Sequence, residues 1–258
     1  MGQLRNNIEH EFRRALQYFQ EGELKNAANI LELIIANDEE NADAFHLLGV
    51  IEAICENPAR GKSLVELSIQ KDPNAADAHY HLGNILLLQL NDPKSAIQSF
   101  SRALLLSPKS LDARLNRGAA YNKLSMYEAA LLDYQQLLLI DPYSYEVLIR
   151  MGKIFLRCNR LEDALIKFRL AIEINVNAEE AYHGAAHVLS QQRCFEESNK
   201  LYTKALNLNP ESDAILANFG GLHMKLGNFS SGLEKIRAAH GAIEFNLMDG
   251  VSIKNGRH

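Results

Sequence analysis

Three stretches decide how this chain folds: "NADAFHLLGVIEA" at 41–53, "AADAHYHLGNILL" at 75–87 and "SLDARLNRGAAYN" at 110–122. Each places an acidic residue at its third position, apolar residues at helical spacing after it and a glycine at its ninth. The stretches recur 34 residues apart and then 35, a period of self-similarity that signals stacked supersecondary units. The extra residue in the longer copy is expected in the turn "LNDPKS", where an insertion would disturb no packed face.

Counting outward from Ile8 gives seven units, 8–41, 42–75, 76–110, 111–144, 145–178, 179–212 and 213–246, with a lead-in at 1–7 and a tail at 247–258. The eighth position holds Ala15, Gly49, Gly83, Gly118, Gly152, Ala186 and Gly220, always very small. The twentieth holds Ala27, Gly61, Ala96, Ala130, Ala164, Ser198 and Gly232, again small. At the twenty-fourth come Leu31, Val65, Phe100, Tyr134, Phe168, Tyr202 and Ile236, large groups able to fill the space beside the small ones. The thirty-second holds Pro73, Pro108, Pro142 and Pro210, where a helix has ended, with Glu39, Val176 and Glu244 as departures. Each unit therefore reads as two antiparallel helices of about 12 to 14 residues joined by a short turn.

The same register settles "ENPARGKSLVELS" at 56–68, whose "GKS" could end a phosphate-binding loop. Such a loop needs a second glycine five positions earlier, where Glu56 stands, and a preceding buried strand, where the spacing is helical. Gly61 is instead expected as the close-contact residue of a second helix, with Lys62 and Ser63 following on it.

Small, small, large and proline at these spacings over residues 8 to 246 resemble the tetratricopeptide repeat family. The resemblance implies an all-α, right-handed superhelical solenoid of antiparallel helix pairs, whose first helices line a concave groove and whose neighbouring units complete one another's core. It also implies a protein-binding scaffold. In this family the second, fifth, sixth, ninth, twelfth and thirteenth positions of each first helix tend to face the groove. The second unit then presents His46, Leu47, Val50 and Ile54, and the third Tyr80, His81, Asn84, Leu87 and Leu88, an apolar stretch with polar edges. The fourth presents Leu115, Asn116, Ala119, Asn122 and Lys123, the fifth Arg150, Lys153 and Arg157, and the sixth His183, His187 and Gln191. Arg150, Lys153 and Arg157 are three and four apart, which puts three cations on one helical face. They are expected to receive an acidic or C-terminal peptide, with its apolar residues towards Leu87 and Leu88.

A variant of the family, the carboxylate clamp of chaperone-binding co-chaperones, is matched by Asn84, Asn116 and Arg150. Its two lysine positions hold Tyr80 and Glu146, so its cationic part is largely missing. Asparagine at the place of Asn116 and Asn218 reaches the backbone of a bound peptide in some superhelices of the family.

Composition agrees with a protein partner. A formal charge of −5 over 258 residues, without a long basic block, argues against nucleic acid. No window approaches eighteen uninterrupted apolar residues and "MGQLRNNIEHEF" lacks the hydrophobic core of a signal peptide, so no membrane insertion and a cytoplasmic location are expected. Met-Gly at the start lacks the Ser or Thr that N-myristoylation wants at position six, where Asn6 stands. Cys55, Cys158 and Cys194 form neither a disulfide framework nor a metal pattern, which fits a reducing compartment.

Catalytic signals are weak. His183 and His187 have the four-residue spacing of a zinc pair, but Gly184 replaces the glutamate of the zincin motif and no third ligand is evident. No nucleophile elbow, Cys/His pair or dinucleotide fingerprint occurs, so neither an enzyme nor a cofactor is expected. The end of the chain alternates Ile243, Phe245 and Leu247, then Asp249-Gly250, then Val251 and Ile253, as an extended segment or small hairpin would. It reads as a cap on the last helix pair or as an edge for self-association. A homo-oligomer built through the solenoid ends and convex face, or an accessory subunit presenting substrates to a separate enzyme, are the alternatives to a plain scaffold.

Overall fold

The computed structural model describes residues 2–240, 243–246 and 250–253. The chain forms two compact units, Met1–Leu137 and Leu138–His258. The first contains the helix pairs α1 (Gly2–Gln20) and α2 (Leu24–Asn37), α3 (Ala42–Ile54) and α4 (Pro58–Lys71), α5 (Ala76–Asn84) and α6 (Pro93–Leu106), then α7 (Leu111–Lys123) and most of α8 (Tyr127–Ile140). The second contains α9 (Tyr145–Arg157) and α10 (Leu161–Ile174), α11 (Glu179–Gln191) and α12 (Phe195–Leu208), and α13 (Asp213–Lys225) and α14 (Phe229–His240). Odd-numbered helices are the first of each pair. The chain is thus all-α in tandem pairs, apart from a short antiparallel hairpin of β1 (Ile243–Asn246) and β2 (Gly250–Ile253) in which Ile243 faces Ile253 and Asn246 faces Gly250. Leu247 and Asp249 of the expected tail lie outside the described residues, as do the side chains that would distinguish a cap from an edge. At the other end α1 runs back to Gly2, through most of the expected lead-in.

Local signals set the helix ends. Asn41, Asp92, Ser110 and Ser212 each accept a hydrogen bond from the backbone N–H three residues on, satisfying a donor that the helix start leaves unpaired. Pro58 and Pro93 occupy first turns, where a missing N–H costs nothing. Between the helices of each pair one residue adopts a left-handed conformation: Gly22, Glu56, Asn91, Ser125, Asn159, Arg193 and Gly227. Five of these carry a side chain, so tertiary packing holds them against a local cost of about 1 kcal/mol.

Packing follows the small-large code. Leu31, Val65, Phe100, Tyr134, Phe168 and Tyr202 are all at most 1% exposed, while Ile236 in the last pair is partly exposed. Where α3 crosses α4, a Cβ at Gly61 would lie 2.7 Å from the carbonyl oxygen of Gly49, a contact no side chain tolerates. In the sixth unit the same two positions hold Ser198 and Ala186, and the Ser198 hydroxyl donates to the Ala186 carbonyl at 2.7 Å. Gly61 is a packing residue, and Lys62 and Ser63 are engaged on α4 with Glu66 and the Ala59 carbonyl. Each core draws on consecutive pairs: Ala15, Leu31 and Leu48 in one cluster, Val65, Phe100 and Ala113 in the next, Tyr202, Ile215 and Phe219 in the second unit. One buried ion pair ties α7 to α8, with Arg117 donating twice to Asp133 at 2.8 and 2.7 Å and once to Ser101 on α6 at 3.1 Å.

The extra residue of the third unit is not in the turn. It is absorbed in a π-helical turn, Ile85–Gln89, that ends the first helix, and the Leu90 N–H bonds the Ile85 carbonyl five residues back. The left-handed residue accordingly falls one place later, at Asn91, and Asp92 reaches back to Leu86 where its counterpart Asn57 reaches Glu52. A wider helical turn accommodates a residue while leaving the face against α6 in register. The turn itself, fixed by its left-handed residue and the Pro93 start of α6, has no room for one. Deleting the exposed Leu88 should restore a 34-residue unit with Leu90, Asn91 and Pro93 in the standard places. We expect urea unfolding of that variant to stay cooperative and within about 1 kcal/mol of the wild type.

Candidate functional site

Within each unit, first helices of successive pairs meet through polar groups on one face. In the first unit a ring nitrogen of His46 on α3 is 2.8 Å from one of His81 on α5, with ring centroids 4.9 Å apart. One turn further, Asn116 on α7 donates from its amide to the amide oxygen of Asn84 on α5 at 2.8 Å. Asn84 and Asn116 are half-buried, Asn122 is half-buried and Lys123 is exposed. Leu87, expected on this face, is in the core at 4% exposure, as are Ala53 and Ser190 at the same repeat position, while Leu88 stands 74% exposed. Leu88 is the outward residue, as Ile54, Lys123, Arg157 and Gln191 are at its repeat position.

In the second unit α9, α11 and α13 repeat the arrangement. Lys153 donates to Glu180 on α11 at 2.6 Å, and the amide nitrogen of Asn218 on α13 is 2.8 Å from His183 Nε2. His187 is 2.9 Å from the Gln191 amide and 3.5 Å from the Tyr202 hydroxyl. Lys225 reaches the Ser190 hydroxyl at 3.4 Å. Arg150, Lys153 and Arg157 are all exposed on α9, and Arg150 has no ion-pair partner among the described residues. Of the candidate clamp residues, Asn84 and Asn116 come together in the first unit, and Arg150 belongs to the second. No group of three or more metal-ligating side chains occurs among the described residues, and no described helix is long and apolar enough to cross a membrane.

Burial sets the charge of this face. It pushes His46 and His183 down to about 4, assisted at His46 by His81 and at His183 by His187 and Lys153. His81 and His187 are lowered by burial too. The histidines are therefore neutral hydrogen-bonding groups near pH 7, and the positive charge expected over 150–187 comes from α9 alone. Sequence reading named these histidines but not the bonds between helices, because helical periodicity orders residues along one helix and says nothing about which face its neighbour.

A tetratricopeptide repeat model matches residues 56–104 and 85–147. Over these residues the chain carries repeats of the tetratricopeptide family. Among its relatives, UDP-N-acetylglucosamine–peptide N-acetylglucosaminyltransferase from Giardia intestinalis is 43% identical over 61 residues, which are 24% of this chain. That match spans only 4% of the relative's length. Among solved repeat structures, YrrB, a TPR protein with an unusual peptide-binding site, is similar with a TM-score of 0.62 at 20% identity, over 73% of this chain and 97% of its own. The C-terminal part of a TPR repeat-containing protein from Cytophaga hutchinsonii gives a TM-score of 0.70 at 15% identity, over 88% of this chain and 95% of its own. At these identities the structural likeness concerns the fold.

A histidine held neutral by burial binds its proton in the unfolded chain before it does so in the folded one. Stability from His46 and His183 is therefore complete above about pH 6.5 and is lost as pH falls towards 4. Urea titrations at pH 7 and pH 5 should differ by about 1–2 kcal/mol for each of these two residues. Replacing both with glutamine should flatten that dependence.

Proposed function

We propose that this repeat protein is a non-catalytic scaffold that holds an extended, carboxylate-bearing segment of a partner protein against the first helices of its second unit. The observation that supports this most is the exposed row of Arg150, Lys153 and Arg157 on α9 beside the half-buried His183 and Asn218. Guanidinium groups bind carboxylates with paired hydrogen bonds, and neutral imidazole and amide groups can meet a peptide backbone without the penalty of burying a charge. Lys153, drawn to Glu180, contributes less than Arg150. Asn84, Asn116, Asn122 and Lys123 offer a more neutral surface in the first unit. Seven repeat units over 8–246 and a cytoplasmic location, where Cys55, Cys158 and Cys194 stay reduced as the free thiols they are here, belong to the same reading.

Affinity capture from native extract should compare the wild type with an Arg150→Ala, Arg157→Ala variant of unchanged circular dichroism. Partners engaged through acidic segments should fall about tenfold with the variant and elute early in salt. An unchanged partner list would contradict this site. It would direct attention to α10, where Ile166, Leu170 and Ile174 stand exposed four residues apart, as a self-assembling subunit requires.

A further inference from the structure

The second unit has a hollow beside the row of cations on α9. At the sixth position of α11, where the other first helices from α3 onward carry Leu47, His81, Asn116, Arg150 and Asn218, stands Gly184. The tip of the Phe168 ring rises against it, so close that a Cβ at residue 184 would lie 2.4 Å from the ring. Beside the ring opens a cavity of about 190 Å³, with Leu156, Phe168 and Gly184 beneath it and Lys153, Glu180, His183 and Asn218 around it. That volume is below the roughly 300–1,000 Å³ of sites that enclose a whole small molecule. It suits one side chain of a longer ligand.

We propose that this hollow anchors a branched aliphatic side chain of an extended acidic peptide. The inference rests on the peptide-binding reading above and adds its specificity. The floor is apolar, so the group that enters must be apolar to offset the water it displaces. Lys153 lies on the rim paired with Glu180, and Arg150 and Arg157 stand one turn to either side along α9, so cations outnumber the one carboxylate where the residues flanking the anchor lie. Asn218, whose amide nitrogen is directed to His183, presents its amide oxygen for a backbone N–H of the peptide. A charged anchor is excluded by the apolar floor.

The test uses the full chain and two fluorescein-labelled peptides of about nine residues, built of Ser and Glu with a central Gly or a central Leu, in anisotropy titrations at low ionic strength. The Leu peptide should bind about tenfold more tightly than the Gly peptide. Leu156→Gln should abolish that preference, and Leu88→Gln, in the other unit, should leave the preference intact. Transferred NOEs from the Leu methyl groups to the Phe168 ring should appear with the wild type. Equal affinity of the two peptides for the wild type would overturn the anchor and leave the basic face standing, whatever the folding of the variants. A preference that survives in folded Leu156→Gln would overturn it too. Failure of both peptides to bind at any salt concentration would remove the peptide-binding reading and the anchor together.

Discussion

Everything in this structure depends on a large side chain of each second helix filling the space beside a very small one on the first helix. Phe168 is the fullest case. Its buried ring packs against Gly152 of its own pair, and a Cβ there would lie 2.7 Å away, while its tip meets Gly184 of the next pair. The aromatic group thus locks a hairpin internally and sets its separation from the following hairpin. Neither helix pair could bury that ring alone, which is why the fold is stable only as a stack.

Close approach of helix backbones has a second effect. It brings the first helices near enough for His46 to bond His81, Asn116 to bond Asn84 and Asn218 to bond His183. These polar links lie at the edge of an apolar core, where burial holds imidazole neutral and satisfied amides cost little. The face they form therefore has a neutral lining, and its net positive character in the second unit comes from side chains on α9 that project into water. The same packing rule that builds the fold decides where its charge can be.

Helix pairs, turns and the small-large pairing were legible because each depends on residues at short, repeated spacing. Gly61 could be assigned to helix packing by position alone. The π turn at Ile85–Gln89 was not legible: an insertion is cheap either in a loop or as a widened helical turn, and the choice depended on a left-handed residue and Pro93 that left the loop no slack. Leu87 was misplaced for a different reason, since its repeat position also turns inward at Ala53 and Ser190. Lys153 looked like one of three equal cations until the structure set Glu180 beside it across the α9–α11 interface, a distance in space that spacing along the chain cannot reveal. The cavity over Phe168 was hidden too, although its signal was present. Gly184 departs from the bulkier residues at its repeat position, and a departure of that kind marks a hole or a clash once the neighbouring helix is known.

The central claim is that recognition takes place on the first helices of the second unit. Hydrogen–deuterium exchange of the full chain, with and without an acidic peptide that carries one leucine, tests it most directly. Added protection should be confined to α9, α11 and α13, centred on 150–157 and 183–187. Protection confined to α10, α12 or the N-terminal pairs, with those helices unchanged, would contradict it.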